Sequence, residues 1–324
     1  MDIQSLYAFV GFMLAAYAVI GNDSAQTLGT FIASQSRIVK WYWLWAATAA
    51  VLACTLTYSW IAYDGDISFG RLARIPPVSL EWYHAAAPLG LLVLTRLGIP
   101  VSTTFLVLST FASGLLLKDM LVKSFIGYGV AIVTAYLIWL VLSRYINEKF
   151  NTVKKEHRLH WRVAQWLSTG LLWFTWLAHD MANIAVFLPR EMPLWMLCGV
   201  IVTLSFWLAY IFRTQGGKIQ RIIVEKTGSR FIRSATIIDI VYAAILLIFK
   251  EMHNVPISTT WVFVGVLCGR EFAIATTHAN YKLGNVFPLV GRDFLKMMVG
   301  LAVSVAIVLA IHYGLDAAPA QPLP

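Results

Sequence analysis

The sequence predicts an all-α, polytopic membrane protein made of two inverted-topology repeats that contain broken or re-entrant helices. Three observations support this prediction: an apolar composition, two motifs that each occur twice, and opposite charge on corresponding loops of the two copies. Hydrophobic residues make up 59% of the 324 residues and charged residues 13%. An ordinary soluble domain has about 25% charged residues. A water-facing globule of this size could not cover so much apolar surface.

Two separate motifs recur at nearly the same offset. Residues 100–104 read Pro-Val-Ser-Thr-Thr, and residues 256–260, which begin 156 positions later, read Pro-Ile-Ser-Thr-Thr. Upstream, Asp23 lies in Asn-Asp-Ser-Ala-Gln, and its counterpart Asp180, 157 positions later, lies in His-Asp-Met-Ala-Asn. Because both motifs share one offset, the chain is predicted to be an internal duplication whose site lies where the two copies meet.

Apolar runs of spanning length alternate with shorter or interrupted runs. A helix needs about 20 residues to cross a bilayer core, so the short runs are predicted to be half-helices or re-entrant hairpins. Both duplicated motifs lie at these interruptions. The long runs lie near 4–21, 41–62, 124–143, 161–178, 193–212 and 294–313. The short runs lie near 23–35, 85–98, 101–117, 180–189, 234–252 and 257–269.

The charges of the loops predict the orientation in the membrane. Residues 144–162 and 213–233 are strongly basic, which places both loops in the cytoplasm by the positive-inside rule. The loop 63–84 has mixed charge and is predicted to lie outside, whereas its counterpart near 219–240 lies inside. An inverted repeat requires this opposition, and it places both termini on the outer side. The predicted units are a first repeat over 1–143, a cytoplasmic linker over 144–160 and a second repeat over 161–324.

The Pro-x-Ser-Thr-Thr motif predicts a helix start, where free backbone N–H groups and hydroxyls can hold a tetrahedral oxyanion. Two such turns related by a pseudo-twofold axis could hold one anion from opposite sides. The alternative is that the hydroxyls bond back to helix carbonyls and accommodate a kink. The hydroxyl residues of the two motifs are Ser102, Thr103, Thr104, Ser258, Thr259 and Thr260.

Asp23 and Asp180 lie at the ends of apolar runs, where a carboxylate is costly and therefore indicates a functional site. The alternative is that each caps the start of the next helix. Amide and imidazole groups within about one helical turn could complete a Na⁺ site, and a lone carboxylate also suits H⁺. A bound cation would lower the cost of burying an anion beside it, which favours cotransport. The additional ligands are Asn22, Gln26, His179 and Asn183.

Other charged residues carry weaker signals. Asp239, Lys250 and Glu251 lie within or next to apolar runs, and each could be a gate, a proton relay or part of a buried pair. The sequence has no nucleotide-binding glycine loop, nucleophile elbow or metal motif, so it predicts neither an enzyme nor a bound cofactor. Despite a net charge of +9, no nucleic-acid partner is predicted, because the basic residues lie in loops between apolar runs.

These motifs resemble the signatures of the PiT family of inorganic phosphate transporters. Each half of that family carries a motif similar to Gly-Ala-Asn-Asp-Val-Ala-Asn, followed downstream by Pro-Val-Ser-Thr-Thr-His. The matching segments here are 20–26 and 178–183 for the first motif, and 98–105 and 254–261 for the second. All four occur in the family's order and spacing, and the resemblance extends over roughly residues 6–310.

The resemblance implies cation-coupled symport of inorganic phosphate, by alternating access of two inverted halves, with Na⁺ or H⁺ as the coupling ion. It implies that the anion lies between the two hairpins, at the six hydroxyl residues and Asn183, and Gln26 is included in this predicted substrate site. Cations are expected near Asn22, Asp23 and Asp180, with His179 beside them. If the protein is sodium-coupled, Na⁺ is expected at Asp23 and Asp180.

The sequence departs from the family pattern at several positions. Gln26 and His179 replace asparagines, and Phe105 and Trp261 replace the histidine that follows Ser-Thr-Thr. Gln26 is longer than Asn and would reshape a tight site. His179 could titrate near neutral pH and favour proton coupling.

The loss of both motif histidines removes donors to a doubly charged anion, so transport of sulfate or another oxyanion stays open. A non-transporting anion sensor, a membrane enzyme that kept the fold, and an anion channel also stay open. The expected setting is a lipid bilayer, as a multi-pass protein of a bacterial inner (plasma) membrane. Both a monomer and a homo-oligomer are compatible with the sequence.

Overall fold

The computed structural model describes residues 2–36, 38–97, 101–111, 114–149, 157–215, 232–252, 257–277 and 283–311. These residues are mostly helical, and no strand occurs among them. Within these ranges, five helices are long and apolar enough to cross a membrane. They cover Ile3–Ser24, Trp41–Ala62, Leu116–Leu142, Leu194–Arg213 and Ile232–Phe249. The chain is an integral, multi-pass membrane protein with an all-α fold, as the sequence predicts.

The helices follow one another in two similar series. The first series is α1 (Ile3–Thr27), α2 (Gly29–Gln35), α3 (Trp41–Ala62), α4 (Ala86–Arg96), α5 (Thr103–Leu106) and α6 (Gly114–Lys149). The second series is α7 (His157–Asp180), α8 (Ala182–Ala185), α9 (Leu194–Arg213), α10 (Ile232–Met252), α11 (Thr259–Thr277) and α12 (Leu283–Leu309). Short 3-10 turns lie at Arg71–Arg74, Trp82–Ala85 and Leu108–Thr110. Within the predicted linker over 144–160, residues 144–149 form the end of α6 and residues 157–160 form the start of α7.

Helices at corresponding positions exchange partners between the two series. α1 packs on α9, while α3 packs on α7. In the same way, α5 packs on α12, while α6 packs on α11. A pseudo-twofold axis between two copies would produce such reciprocal contacts, so the packing is compatible with the predicted inverted repeat.

Each series contains a helix that is broken at a single residue. Leu28 separates α1 from α2, and Met181 separates α7 from α8. The backbone N–H of Leu28 still donates to the carbonyl of Ser24 at 2.8 Å, so the chain turns without losing that hydrogen bond. Asp180 is the last residue of α7, but Asp23 lies inside α1 and before its break. Asp23 therefore does not cap the start of the next helix, which was the alternative interpretation of its position.

The helix α1 continues past Asp23 to Thr27. The Thr27 hydroxyl donates to the Asp23 carbonyl at 2.9 Å, and Asn22 and Gln26 contact the Asp23 carboxylate. Polar residues that interrupt an apolar run in the sequence therefore do not by themselves end the helix.

The two Ser-Thr-Thr motifs both start helices, as predicted, but the helices differ in length. Ser102 and Ser258 act as N-caps, each accepting a hydrogen bond from the backbone N–H three residues later, at 3.3 Å and 3.2 Å. α5 ends after four residues, whereas α11 continues for 19. After α5 the chain makes the 3-10 turn Leu108–Thr110, in which the Thr110 hydroxyl donates to the Val107 carbonyl at 2.6 Å.

Two runs that were predicted to be short form longer helices. The run 234–252 lies in α10, which has 21 residues, and the run 257–269 lies in α11. In α10 the apolar signal is interrupted by Asp239, but this carboxylate is fully buried and hydrogen-bonded, so the helix passes it without a break. The side chains of Lys250 and Glu251 lie outside the described residues.

α6 and α11 approach each other closely at two glycines. A Cβ at Gly269 would lie 2.2 Å from the carbonyl oxygen of Ile132, and one at Gly265 would lie 2.7 Å from that of Tyr128. The glycines are four residues apart and share one face of α11. This is the small-x-x-x-small pattern by which membrane helices bring their backbones together.

We predict that Gly269→Ala destabilises the protein by about 1–3 kcal/mol, because the added methyl overpacks the contact with α6. The matched control is Gly199→Ala on α9, where a Cβ would meet no atom within 4 Å. The control should be neutral or slightly stabilising, because alanine favours a helix more than glycine does. The melting temperature of each variant in detergent measures the effect. Equal melting temperatures for the two variants would contradict the close approach.

Candidate functional site

All twelve side chains that the sequence predicts for the site are buried. Each is at most 6% exposed, and both Asp23 and Asp180 are 0% exposed. The residues come from α1, α7 and α8, and from the starts of α5 and α11. The fold therefore places the acidic motifs and the hydroxyl motifs of both halves inside the protein.

Asp180 accepts hydrogen bonds from both halves. Its Oδ1 accepts from the Thr104 hydroxyl at 3.2 Å and from Asn183 Nδ2 at 2.9 Å. Its Oδ2 accepts from the Thr259 hydroxyl at 2.5 Å. Thr104 belongs to the first hydroxyl motif and Thr259 to the second, so this one carboxylate joins the two motifs.

Asp23 has a different environment from Asp180. Its Oδ1 accepts from two side chains of its own helix, Asn22 Nδ2 at 2.5 Å and Gln26 Nε2 at 3.4 Å. Its Oδ2 is buried and makes no hydrogen bond to any described residue. A buried carboxylate oxygen without a donor has an open position for a cation or a proton.

Thr104 and Thr260 make corresponding contacts between the two hydroxyl motifs. The Thr104 hydroxyl lies 3.4 Å from the carbonyl oxygen of Ile257, and the Thr260 hydroxyl donates to that of Val101 at 3.2 Å. Val101 and Ile257 occupy the same position in the two copies of the motif. This reciprocity is expected for residues related by a pseudo-twofold axis.

One amide side chain from each acidic motif bonds to the hydroxyl motif of the other half. Gln26 Nε2 donates to the Thr260 hydroxyl, and Asn183 Nδ2 donates to the Thr103 hydroxyl, both at 3.3 Å. The amide oxygens, Gln26 Oε1 and Asn183 Oδ1, are buried without a partner among the described residues. Together with Asp23 Oδ2 they form a set of oxygen acceptors, which is the ligand type that hard cations prefer.

His179 is buried, and its ring lies against the backbone of α10. Its Nε2 lies 2.7 Å from the carbonyl oxygen of Leu246. A carbonyl can only accept, so Nε2 carries the proton and donates to α10. Arg71 Nη2 also lies 3.5 Å from His179 Nε2. His179 is thus next to Asp180 in sequence, while its ring is turned toward the α10 backbone.

Arg71 is a buried cation that the sequence analysis did not include in the site. It is 4% exposed, and its Nε donates to the carbonyl oxygen of Ala178 at 2.8 Å. Its Nη1 is buried without a partner in the described parts of the chain. Burial lowers the pKa of the Arg71 guanidinium to about 10, and attraction to Asp180 and Tyr63 opposes this shift, so the group stays protonated at neutral pH. No sequence signal marks Arg71, which lies in a loop of mixed charge.

A second buried polar cluster surrounds Asp239. Its two carboxylate oxygens accept from the Thr30 hydroxyl at 2.7 Å and from the Thr169 hydroxyl at 2.6 Å. Next to them, Gln35 Nε2 donates to Gln165 Oε1 at 2.7 Å. The cluster joins α2 to α7 and α10. The sequence singled out Asp239, but it gave no indication of these hydroxyl and amide partners.

The two aromatic residues that depart from the family pattern contact each other. The rings of Phe105 and Trp261 meet edge-on with centroids 5.5 Å apart, and both side chains are 1% exposed. Phe125 also packs on Trp261, with ring centroids 4.6 Å apart. An apolar contact between the halves therefore occupies the positions at which the resemblance places histidines.

A fold of paired, broken helices that enclose buried carboxylates and hydroxyls is typical of secondary transporters. A solved structure described as "The sodium-dependent phosphate transporter" is similar to this chain, with a TM-score of 0.62 and 19% identity. The match covers 97% of this chain and 100% of that chain. The likeness confirms, at the level of the fold, the resemblance to the PiT family that the motifs predict. No family model and no curated protein matches the sequence.

Proposed function

We propose that this protein is a secondary active transporter that moves inorganic phosphate together with a cation, Na⁺ or H⁺. The observation that carries the proposal is the hydrogen bonding of Asp180 to both hydroxyl motifs, through Thr104 and Thr259. The similar fold of a protein described as a sodium-dependent phosphate transporter supports the choice of substrate and ion. The two halves are proposed to expose the site alternately to the two sides of the membrane.

The cation is proposed to bind at the buried oxygens that lack a donor. Asp23 Oδ2, Gln26 Oε1 and Asn183 Oδ1 are acceptors only, which suits Na⁺. A proton on the Asp23 carboxylate would neutralise its charge instead, and H⁺ is the alternative coupling ion. Either ion adds positive charge to a site that is otherwise costly for an anion to enter.

The anion is proposed to bind at the hydroxyls of the two motifs. The Thr104 and Thr259 hydroxyls donate to Asp180, so an oxyanion that takes these donors leaves the carboxylate with fewer hydrogen bonds. Two negative groups that compete for the same donors repel each other in a buried site. A cation between them removes this conflict, which is a physical reason for anion and cation to move together.

Sulfate or another oxyanion is the second candidate substrate. The observation that favours it is the aromatic contact of Phe105 with Trp261, because no imidazole is present where the family pattern has histidine. Sulfate carries no proton at neutral pH and needs no acceptor in its site, whereas phosphate has P–O–H groups that donate to an acceptor such as an imidazole nitrogen. A sensor that binds the anion without transport is the remaining alternative.

The proposal is tested by uptake of labelled phosphate into proteoliposomes of the full chain, under an imposed Na⁺ gradient and, separately, an imposed pH gradient. We expect accumulation that unlabelled phosphate blocks and sulfate does not, under one of the two gradients. Accumulation blocked by sulfate would assign the second substrate. Binding of phosphate without accumulation under either gradient would contradict transport and favour the sensor.

We predict that Asp23→Asn and Asp180→Asn each reduce gradient-driven uptake by at least about 100-fold, because each removes a buried charge that the cation and the hydroxyls require. Asp119→Asn is the control, because Asp119 is exposed on α6. Uptake is measured in the same vesicles, and the melting temperature shows whether each variant is folded. Uptake at the wild-type rate in either buried variant would exclude that carboxylate from the mechanism.

We predict that Thr104→Val and Thr260→Val raise the half-saturation concentration for the anion by about 10-fold each, which corresponds to the loss of one hydrogen bond to a charged group. Similar effects are expected because the two hydroxyls make reciprocal contacts. Thr203→Val is the control, since the Thr203 hydroxyl is exposed and bonds only to its own helix, at Gly199. Unchanged half-saturation in both variants would remove the hydroxyl motifs from the anion site.

A further inference from the structure

The connection between α3 and α4 is folded so that it holds one guanidinium inside the protein. The Asp66 carboxylate accepts from the backbone N–H of Gly70 at 3.1 Å, which closes a tight turn. Phe69 and Gly70 have positive φ angles of 58° and 71°. A non-glycine residue seldom adopts this conformation, and such strain concentrates at functional sites. Arg71 follows directly and is only 4% exposed.

The side chain of Arg71 is held next to the acidic motif of the second half. Its Nε donates to the carbonyl oxygen of Ala178, two residues before Asp180. Arg71 and Asp180 attract each other electrostatically, but these two described side chains make no direct hydrogen bond. Because Nη1 also lacks a partner among the described residues, no ion pair neutralises the guanidinium locally.

The two buried carboxylates therefore differ in charge environment. Asp180 has three hydrogen bonds, from Thr104, Asn183 and Thr259, and a fixed positive charge nearby. The partners of Asp23 are all neutral: the amides of Asn22 and Gln26 on its own helix, and the Thr103 hydroxyl. Its Oδ2 has no donor within hydrogen-bond distance among the described residues. An exchangeable cation is needed more at Asp23 than at Asp180.

We propose that Arg71 is a permanent counter-charge for Asp180, which takes the place of an exchangeable cation there, so that the coupling cation binds at Asp23. This inference rests on the proposed function and refines it, because the sequence predicts a cation at both carboxylates. Arg71 is a positioning residue that acts through Asp180. A charge fixed on the chain stays in the protein when the anion leaves, whereas an exchangeable ion is carried across with it.

The test counts the cations bound to purified full-length protein, by equilibrium dialysis with radioactive Na⁺ in one arm and by proton uptake in weakly buffered solution in the other. We expect Arg71→Gln to bind one more cation per protein than the wild type, because Asp180 then requires one. Arg71→Lys should keep the wild-type number, since it keeps the charge. The matched control is Arg190→Gln, since Arg190 Nη2 anchors the same connection at the Ile75 carbonyl, 3.0 Å away.

Equal cation numbers in the wild type and Arg71→Gln would overturn the inference and leave Arg71 with the same anchoring role as Arg190. If Arg71→Gln does not fold, a second measurement tests the inference. In the wild-type background, Asp23→Asn should lose one bound cation while Asp180→Asn keeps it, and the reverse result would overturn the inference. Failure of the proposed transport function can be told apart from failure of this inference. If only the transport proposal failed, anion uptake would be absent while the number of bound cations would still differ among the variants.

Discussion

The burial of two carboxylates determines much of the structure around them. Asp23 and Asp180 have no exposure to solvent, and ionised groups in such surroundings must be hydrogen-bonded or paired. The hydroxyl motifs supply the donors for Asp180, and they can do so only because both helix starts meet at one place. The contact between the halves is therefore a condition for the acidic motif to be stable inside the membrane.

The duplicated motifs made the central residues predictable from the sequence. The repeat located both carboxylates and all six hydroxyls, and the structure brings most of them into one hydrogen-bond network. It could not locate Arg71, because the hydrogen bond of this residue to Ala178 crosses 107 positions of the chain and depends on the path of a loop. The different lengths of α5 and α11 were also not predictable, since both helices start at copies of the same motif.

The departures from the family pattern have different structural consequences. Phe105 and Trp261, at the two positions where the family motif has histidine, form one contact between the halves. His179 donates to the α10 backbone at the carbonyl of Leu246. Gln26 links α1 to the opposite half through Thr260. The polar network thus tolerates substitution where the replacement can pack or bond elsewhere.

The hydrogen bonds of Asp239 divide the molecule differently from its sequence repeat. By sequence, α2 belongs to the first half. However, its Thr30 hydroxyl donates to Asp239 of the second half, and its Gln35 side chain donates to Gln165 of α7. A displacement of one half against the other would have to break these buried bonds or carry α2 along. By these hydrogen bonds α2 belongs with the second half, although it lies in the first half by sequence, and the break at Leu28 is where the chain passes from α1 to this group.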